Sequence, residues 1–219
     1  MPEQPFPRGS LFSRTGSRKY LNAAEQHRFL DAADQAPLED RLFCLTLRWS
    51  GARISEVLAL VPLAFDIDTS VANFQTLKRR KAGIVRQVPL PPSLMNTLDI
   101  VFGIRDAQAD PARSGRRLWK WSRTTAWRSV KKVMAAASIS GAAAMPKGLR
   151  HTFGVNAFQS GVPPHLVQRW LGHASLETTA IYGDVIGPEE LAFSARMWPG
   201  TPRSEPETVV TSLPSRIRD

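Results

Sequence analysis

The sequence predicts a mainly α-helical domain carrying one small antiparallel β-sheet, an α+β arrangement. Three observations predict it. Apolar residues recur at three- and four-residue spacing over most of the chain, so helices dominate. The period shortens only between Ala64 and Leu90, where Phe65, Ile67, Val71, Phe74, Thr76, Ile84, Val85, Val88 and Leu90 suit two or three short strands around a basic turn containing Gly83. Length supplies the third: 219 residues fit one large domain with appendages, and two full domains would be cramped.

Residues 1–20 mix Pro, Gly, Ser and Arg without a period and read as a flexible N-terminal arm, and residues 199–219 read as a similar tail. Asn22 followed by Glu25 is a capping box, in which the Asn side chain takes a free backbone N–H. Phe29, Leu30 and Ala33 continue a helical stripe, so a helix is predicted over 22–35. Leu42, Phe43, Leu45, Thr46 and Trp49 place a second helix over 38–50, Gly51 breaks it, and Arg53 to Leu60 resumes as a shorter one. After the strands, Pro91 and Pro92 suit the first turn of a helix with Leu94, Leu98, Ile100, Val101 and Ile104 along one face. A further helix, from about Thr124 to Ala137, puts Trp127, Val130, Val133 and Met134 inward and Arg128, Lys131 and Lys132 outward. Helices over 146–160, 163–171 and 175–182 complete the series.

Composition narrows the class of function. Hydrophobic residues at 42% and charged residues at 22% are too apolar a mixture for wholesale disorder. The only cysteine, Cys44, sits in the apolar run 42–47, which excludes a disulfide framework or multi-cysteine metal site and fits a reducing cytosol. No apolar run approaches the length that crosses a bilayer, and MPEQPFPRGS lacks the order of a signal peptide, so no membrane role is expected. A net charge of +10 makes a polyanion the first partner to consider, nucleic acid ahead of a membrane surface. Between residues 76 and 132 fourteen Lys and Arg stand against three Asp, so this segment carries the whole excess. Its cations recur on a turn, a loop and a helix face with Trp119, Trp121 and Trp127 among them, a pattern suited to tracking a phosphate backbone.

In-line cleavage of a phosphodiester requires a nucleophile, fixed cations for the extra charge on phosphorus, and an acid for the departing oxygen. A tyrosine can serve as nucleophile and store the bond energy in a phosphotyrosine, so neither ATP nor a metal is needed for rejoining. The chain has two tyrosines, Tyr20 at the edge of the N-terminal arm and Tyr182 at the end of LGHASLETTAIY.

Four segments in order, GARISEVLAL (51–60), KGLRHTF (147–153), LGH (171–173) and Tyr182, resemble the motifs of the tyrosine recombinase, or phage integrase, family over about residues 22–185. The resemblance implies a recombinase catalytic domain over 21–187. It makes Arg53 and Arg150 the clamp on the scissile phosphate, for which the forked guanidinium suits two oxygens at once. His173 would donate to a non-bridging oxygen, Tyr182 would attack, and Glu56 would orient the cations. The family's general acid, a hairpin lysine, falls on Lys78, with Lys81 as the alternative. Arg79, Arg80 and Arg86 are then DNA-backbone contacts or solvated charge, and Arg123, Arg128, Lys131 and Lys132 extend the DNA-binding set.

One position and the length depart from the family's pattern. Lys147 stands where the family commonly has His, and it serves either as a proton acceptor or as a charged phosphate ligand. His151 is read as making a local structural hydrogen bond, and His27 and His165 as surface residues without metal partners. The family's additional N-terminal helical domain has no counterpart in the residues before Asn22, which implies a short, catalytic-domain-only type.

Duplex DNA is the expected partner, bound as a homo-oligomer, a dimer or tetramer, with an accessory DNA-bending protein as a further expected partner. No cofactor or metal is expected. Residues 188–198 form an expected C-terminal helical segment, either packed on its own core or docked in trans. The implied setting is cytoplasmic and nucleoid-associated, in a bacterium or on a mobile element. Two other functions stay open: a DNA-binding protein of the same fold without recombination, and a topoisomerase-like enzyme.

Overall fold

A computed structural model describes residues 10–76 and 84–183. Helix α1 (Ala23–Asp34) opens on the predicted capping box, with Asn22 and Glu25 each accepting the other's backbone N–H at 2.8 Å. Two N–H groups that the helix leaves unpaired are thereby satisfied. Helix α2 (Leu38–Ser50) buries Leu42, Phe43, Cys44 and Leu47 and stops at Gly51, whose φ is +61°. A Cβ at Gly51 would lie 2.5 Å from the Phe153 ring, so the position demands both a left-handed backbone and no side chain. Helix α3 (Ile54–Val57) is a single turn, shorter than the predicted 53–60, because the chain turns again through Pro62–Ala64, where proline cannot continue a helical ladder.

Strands β1 (Phe65–Asp66), β2 (Val71–Gln75) and β3 (Val85–Pro89) form an antiparallel sheet in the order β1-β2-β3. The register sets Ala72 opposite Val88 and Phe74 opposite Arg86, and all four are buried. Arg86 thus shares the inner face with Val88, as alternation along a strand requires.

Helix α4 (Pro92–Phe102) ends at Gly103, which takes a φ of +58°, and α5 (Ile104–Gln108) follows. That break separates two residues expected on one face: Ile104 is buried and Ile100 is 83% exposed. Helix α6 (Arg123–Ala136) is capped by Ser122, which accepts the Thr125 N–H at 3.0 Å. Its inward residues are Ala126, Ser129, Val130, Val133 and Met134, whereas Trp127 faces out, contrary to expectation. Trp119, expected among the DNA-facing aromatics, lies in the core with its ring edge-on to Phe43 at 5.3 Å and to Phe102 at 5.1 Å. A large apolar ring gains more from burial there than from any contact at the surface.

Helices α7 (Pro146–Gln159), α8 (Pro164–Leu171) and α9 (Glu177–Ala180) complete the described fold, with α7 against α2 and α8. Most of the core is one apolar cluster that runs from α1 to α7. A second, smaller one joins Leu11, Val155, Ala157, Val167, Leu171 and Tyr182. Leu11 belongs there because residues 10–20 are not the loose arm expected: Phe12 pairs with Arg18 in a β-bridge and the Lys19 N–H donates to the Leu11 carbonyl at 2.8 Å. The turn inserts one leucine under α7, and that buried apolar contact offsets the entropy of ordering it. No described helix is long and apolar enough to cross a membrane.

Candidate active site

Arg150, on the first turns of α7, is 8% exposed and organises the site. Its Nη1 donates to the Gly51 carbonyl at 2.8 Å and its Nη2 to the Leu171 carbonyl at 2.7 Å. Gly51 lies two residues before Arg53 and Leu171 two before His173, so one guanidinium ties together three distant pieces of the motif set. Five N–H donors leave it three after these two bonds. Burial, then the nearby Arg53 charge, lowers its pKa to about 10, and it stays charged at neutral pH.

Arg53 stands at the N-terminus of α3 with its side chain about one-third exposed. Its Nη1 lies 2.7 Å from Glu56 Oε1, and its backbone N–H donates to Glu56 Oε2 at 2.8 Å. Glu56 Oε2 also accepts from Arg86 Nη2 at 2.6 Å, and Arg86 Nε donates to the Trp170 carbonyl at 2.7 Å. Burial by itself would raise the Glu56 carboxyl, but the Arg86 charge and the bonds from Arg53 outweigh it and hold the group below its ordinary value. Glu56 thus holds both the backbone N–H and the guanidinium of Arg53. Arg86 does not fill the surface role given to it: at 4% exposure, locked to a carboxylate and a carbonyl, it belongs to the frame beneath the site.

His173 follows α8, and its Nδ1 lies 2.9 Å from Thr179 Oγ1. Burial and the charges of Arg150, Arg53 and Arg86 lower its pKa to about 4, so the ring is neutral and offers Nε2–H when Thr179 donates to Nδ1. The Tyr182 ring lies 9° from parallel to that of His173 at a centroid distance of 6.1 Å, and it is 1% exposed. A Cβ on Gly154 would meet the Tyr182 ring at 2.6 Å, so the absent side chain leaves room for it. Burial raises the phenol's pKa against the opposing pull of Arg150 and Arg53, and the hydroxyl is protonated at neutral pH.

The group in contact with that hydroxyl is His151, whose Nδ1 lies 3.2 Å from Tyr182 Oη. Sequence reasoning gave His151 only a local structural bond. A signal was present: His151, Val155 and Phe158 share one face of α7, and a lone polar residue in that stripe faces whatever the stripe covers. Lys147 is exposed at the start of α7.

Of the expected DNA contacts, Arg123, Arg128 and Lys132 are exposed on α6, and Lys131 is half-buried with its Nζ donating to the Ala144 carbonyl at 2.8 Å. Lys78, Arg79, Arg80 and Lys81 lie outside the described residues, as does the segment 188–198. Among the described residues no three His, Cys, Asp or Glu side chains gather at metal-binding distance.

Residues 19–186 match the model of the Phage integrase family, and the chain belongs to that family. It is 29% identical over 171 residues to the tyrosine recombinase XerA of Pyrococcus furiosus, which covers 75% of this chain and 56% of the relative. With the tyrosine recombinase XerD of Mycobacterium tuberculosis it shares 35% identity over 154 residues, 66% of this chain and 47% of the relative. The chain thus spans about half the length of the curated relatives it matches. Its fold is also that of the XerH site-specific recombinase in a post-cleavage complex with a palindromic difH substrate. The TM-score is 0.66 at 23% identity, over 82% of this chain and 53% of that one.

Proposed function

We propose that this chain breaks and rejoins duplex DNA as a site-specific tyrosine recombinase. Tyr182 Oη attacks the scissile phosphorus, the bond to the 5′-oxygen breaks, and a 3′-phosphotyrosyl link and a free 5′-hydroxyl remain. Attack by a partner strand's 5′-hydroxyl reverses the chemistry and restores the tyrosine. Arg53 and the spare donors of Arg150 hold the non-bridging oxygens, and His173 Nε2–H adds a third donor. Lys78 is the preferred acid for the departing oxygen, with Lys81 as its alternative, and Lys147 is a phosphate contact. The exposed cations of α6 follow the backbone of the duplex.

The observation that carries this reading is the pair of carbonyl bonds from Arg150, which bind the Arg53 turn and the His173 turn to the helix facing Tyr182. XerH, a recombinase of the same fold captured on its difH substrate after cleavage, supports DNA as the substrate. Homo-oligomeric assembly on DNA, a DNA-bending accessory protein and a nucleoid-associated site of action belong to the same proposal.

The test uses a pool of nicked suicide duplexes of randomised sequence, with covalent protein–DNA adducts recovered after denaturation. Wild type is expected to yield adducts enriched in one site, and Tyr182→Phe none. Adduct formation by Tyr182→Phe, or none by wild type across the pool, overturns the assignment. Binding without adduct would instead leave a DNA-binding protein, and adducts with no sequence enrichment a topoisomerase-like enzyme.

A further inference from the structure

We propose that His151 accepts the phenolic proton of Tyr182 at Nδ1 as that oxygen attacks phosphorus. The inference rests on the recombinase reading and adds a residue to it. His151 is the side chain hydrogen-bonded to Tyr182 Oη, at 3.2 Å. It is 6% exposed, and its other nitrogen, Nε2, is buried without a hydrogen-bond partner among the described residues. Among the described residues no neighbour fixes the tautomer through Nε2, so the bond to Tyr182 sets it, and the form that can take the proton is the one in which the phenol donates to a lone pair on Nδ1 and Nε2 carries the hydrogen. The Lys147 ammonium makes no hydrogen bond to the phenol, although its position in the motif would make it the first candidate.

The charges around His151 explain when it acts. Burial comes first, and Lys147 and Arg150 on α7, Lys19 on the N-terminal turn and His173 after α8 add to it, so that its pKa falls to about 3. Free of DNA, the ring is neutral and Tyr182 keeps its proton. A scissile phosphodiester brings one negative charge against Arg150 and its neighbours and relieves part of the field that opposes an imidazolium. Proton transfer is thereby coupled to a seated substrate. In the step, the Tyr182 oxygen bonds to phosphorus, its proton passes to Nδ1, and the 5′-oxygen leaves with a proton from a general acid. The reverse reaction returns the proton from Nδ1 to the phenol.

The experiment measures single-turnover adduct formation on the captured duplex as a function of pH, for wild type, His151→Gln and Lys147→Ala. Glutamine can still accept a hydrogen bond but takes no proton in this range. His151→Gln is expected to slow adduct formation by about 100-fold or more, with salt-dependent DNA binding retained and the rate then rising with hydroxide. Lys147→Ala should keep the pH limb of wild type, moved to higher pH because the Lys147 charge no longer opposes the imidazolium. A His151→Gln rate within about threefold of wild type, at the scale where a general base is worth 10²–10⁴, overturns the proposal. So does a pH limb that disappears with Lys147.

If His151→Gln does not fold, the wild-type protein labelled at its four histidines decides the question by NMR titration. Bound duplex should raise the His151 titration midpoint by at least about one pH unit, and no movement overturns the proposal. Absence of any adduct with wild type is a different failure, since it removes the recombinase reading itself.

Discussion

Nη2 of Arg86 lies 2.6 Å from Oε2 of Glu56, with the two side chains 3% and 0% exposed. The other oxygen of the same carboxylate holds Arg53 at 2.7 Å, so one buried pair on β3 and α3 supports a cation of the site. Removing one partner strands a charge away from water, which costs about 3–5 kcal/mol. Arg86→Ala is therefore expected to lower the urea midpoint by a corresponding amount and to impair adduct formation. Arg86→Lys should recover part of the stability, because lysine keeps the charge but loses the fork that spans Glu56 and the Trp170 carbonyl. Stability of Arg86→Ala equal to wild type would show that the pair is not formed in solution.

The same carboxylate sets a pH dependence. Its folded pKa lies below the ordinary value of 4.5, so the unfolded chain binds the proton first as pH falls. The contribution of Glu56 to stability is full above about pH 4.5 and is lost as pH falls through the lowered value. Glu56→Gln should be less stable than wild type at pH 7, and its stability should fall less between pH 5 and pH 3, in a range set by the shift of a paired carboxyl. Equal slopes for the two proteins in acid would contradict this.

Much of the fold was legible because its signals are local. Asn22 with Glu25, Gly51, and Pro91 before Pro92 mark helix ends through caps and forbidden backbone conformations, which neighbours along the chain decide. The motif arginines, His173 and Tyr182 were legible by resemblance. Arg86 and His151 were not, since their roles depend on which groups the fold sets opposite them. Strand parity with Val88 and helix parity with Val155 hinted at both, yet a charged side chain in a basic segment reads first as surface. Trp119 and Trp127 exchanged their expected places for the same reason: spacing alone does not say which side of a loop or helix meets the core.

Gly154 offers a test of where Tyr182 rests. Alanine there would gain about 1 kcal/mol in helix propensity against roughly 1–3 kcal/mol for overpacking. The net effect on folding is small, and the ring that would lie 2.6 Å from the new Cβ must yield. Gly154→Ala is expected to melt within a few degrees of wild type and to lose at least about tenfold in adduct rate, the scale of a misplaced reacting group. A full adduct rate would mean that Tyr182 attacks from a position other than the one against α7.

The exposed cations of α6 are separable from the buried Arg86 by their salt response. A cation that neutralises one phosphate releases counterions, so its loss reduces the slope of log affinity against log salt by about 0.9. Arg123→Ala, Arg128→Ala and Lys132→Ala are each expected to flatten the slope by about this amount while leaving the urea midpoint nearly unchanged. Lys131→Ala should do less to the slope and more to stability, because its Nζ is held by the Ala144 carbonyl at 2.8 Å. Arg86→Ala should leave the slope of the folded protein unchanged, since its charge is spent on Glu56 within the protein. If the α6 variants keep the wild-type slope, the duplex runs elsewhere, and the local excess of positive charge on this helix is ordinary solvated surface.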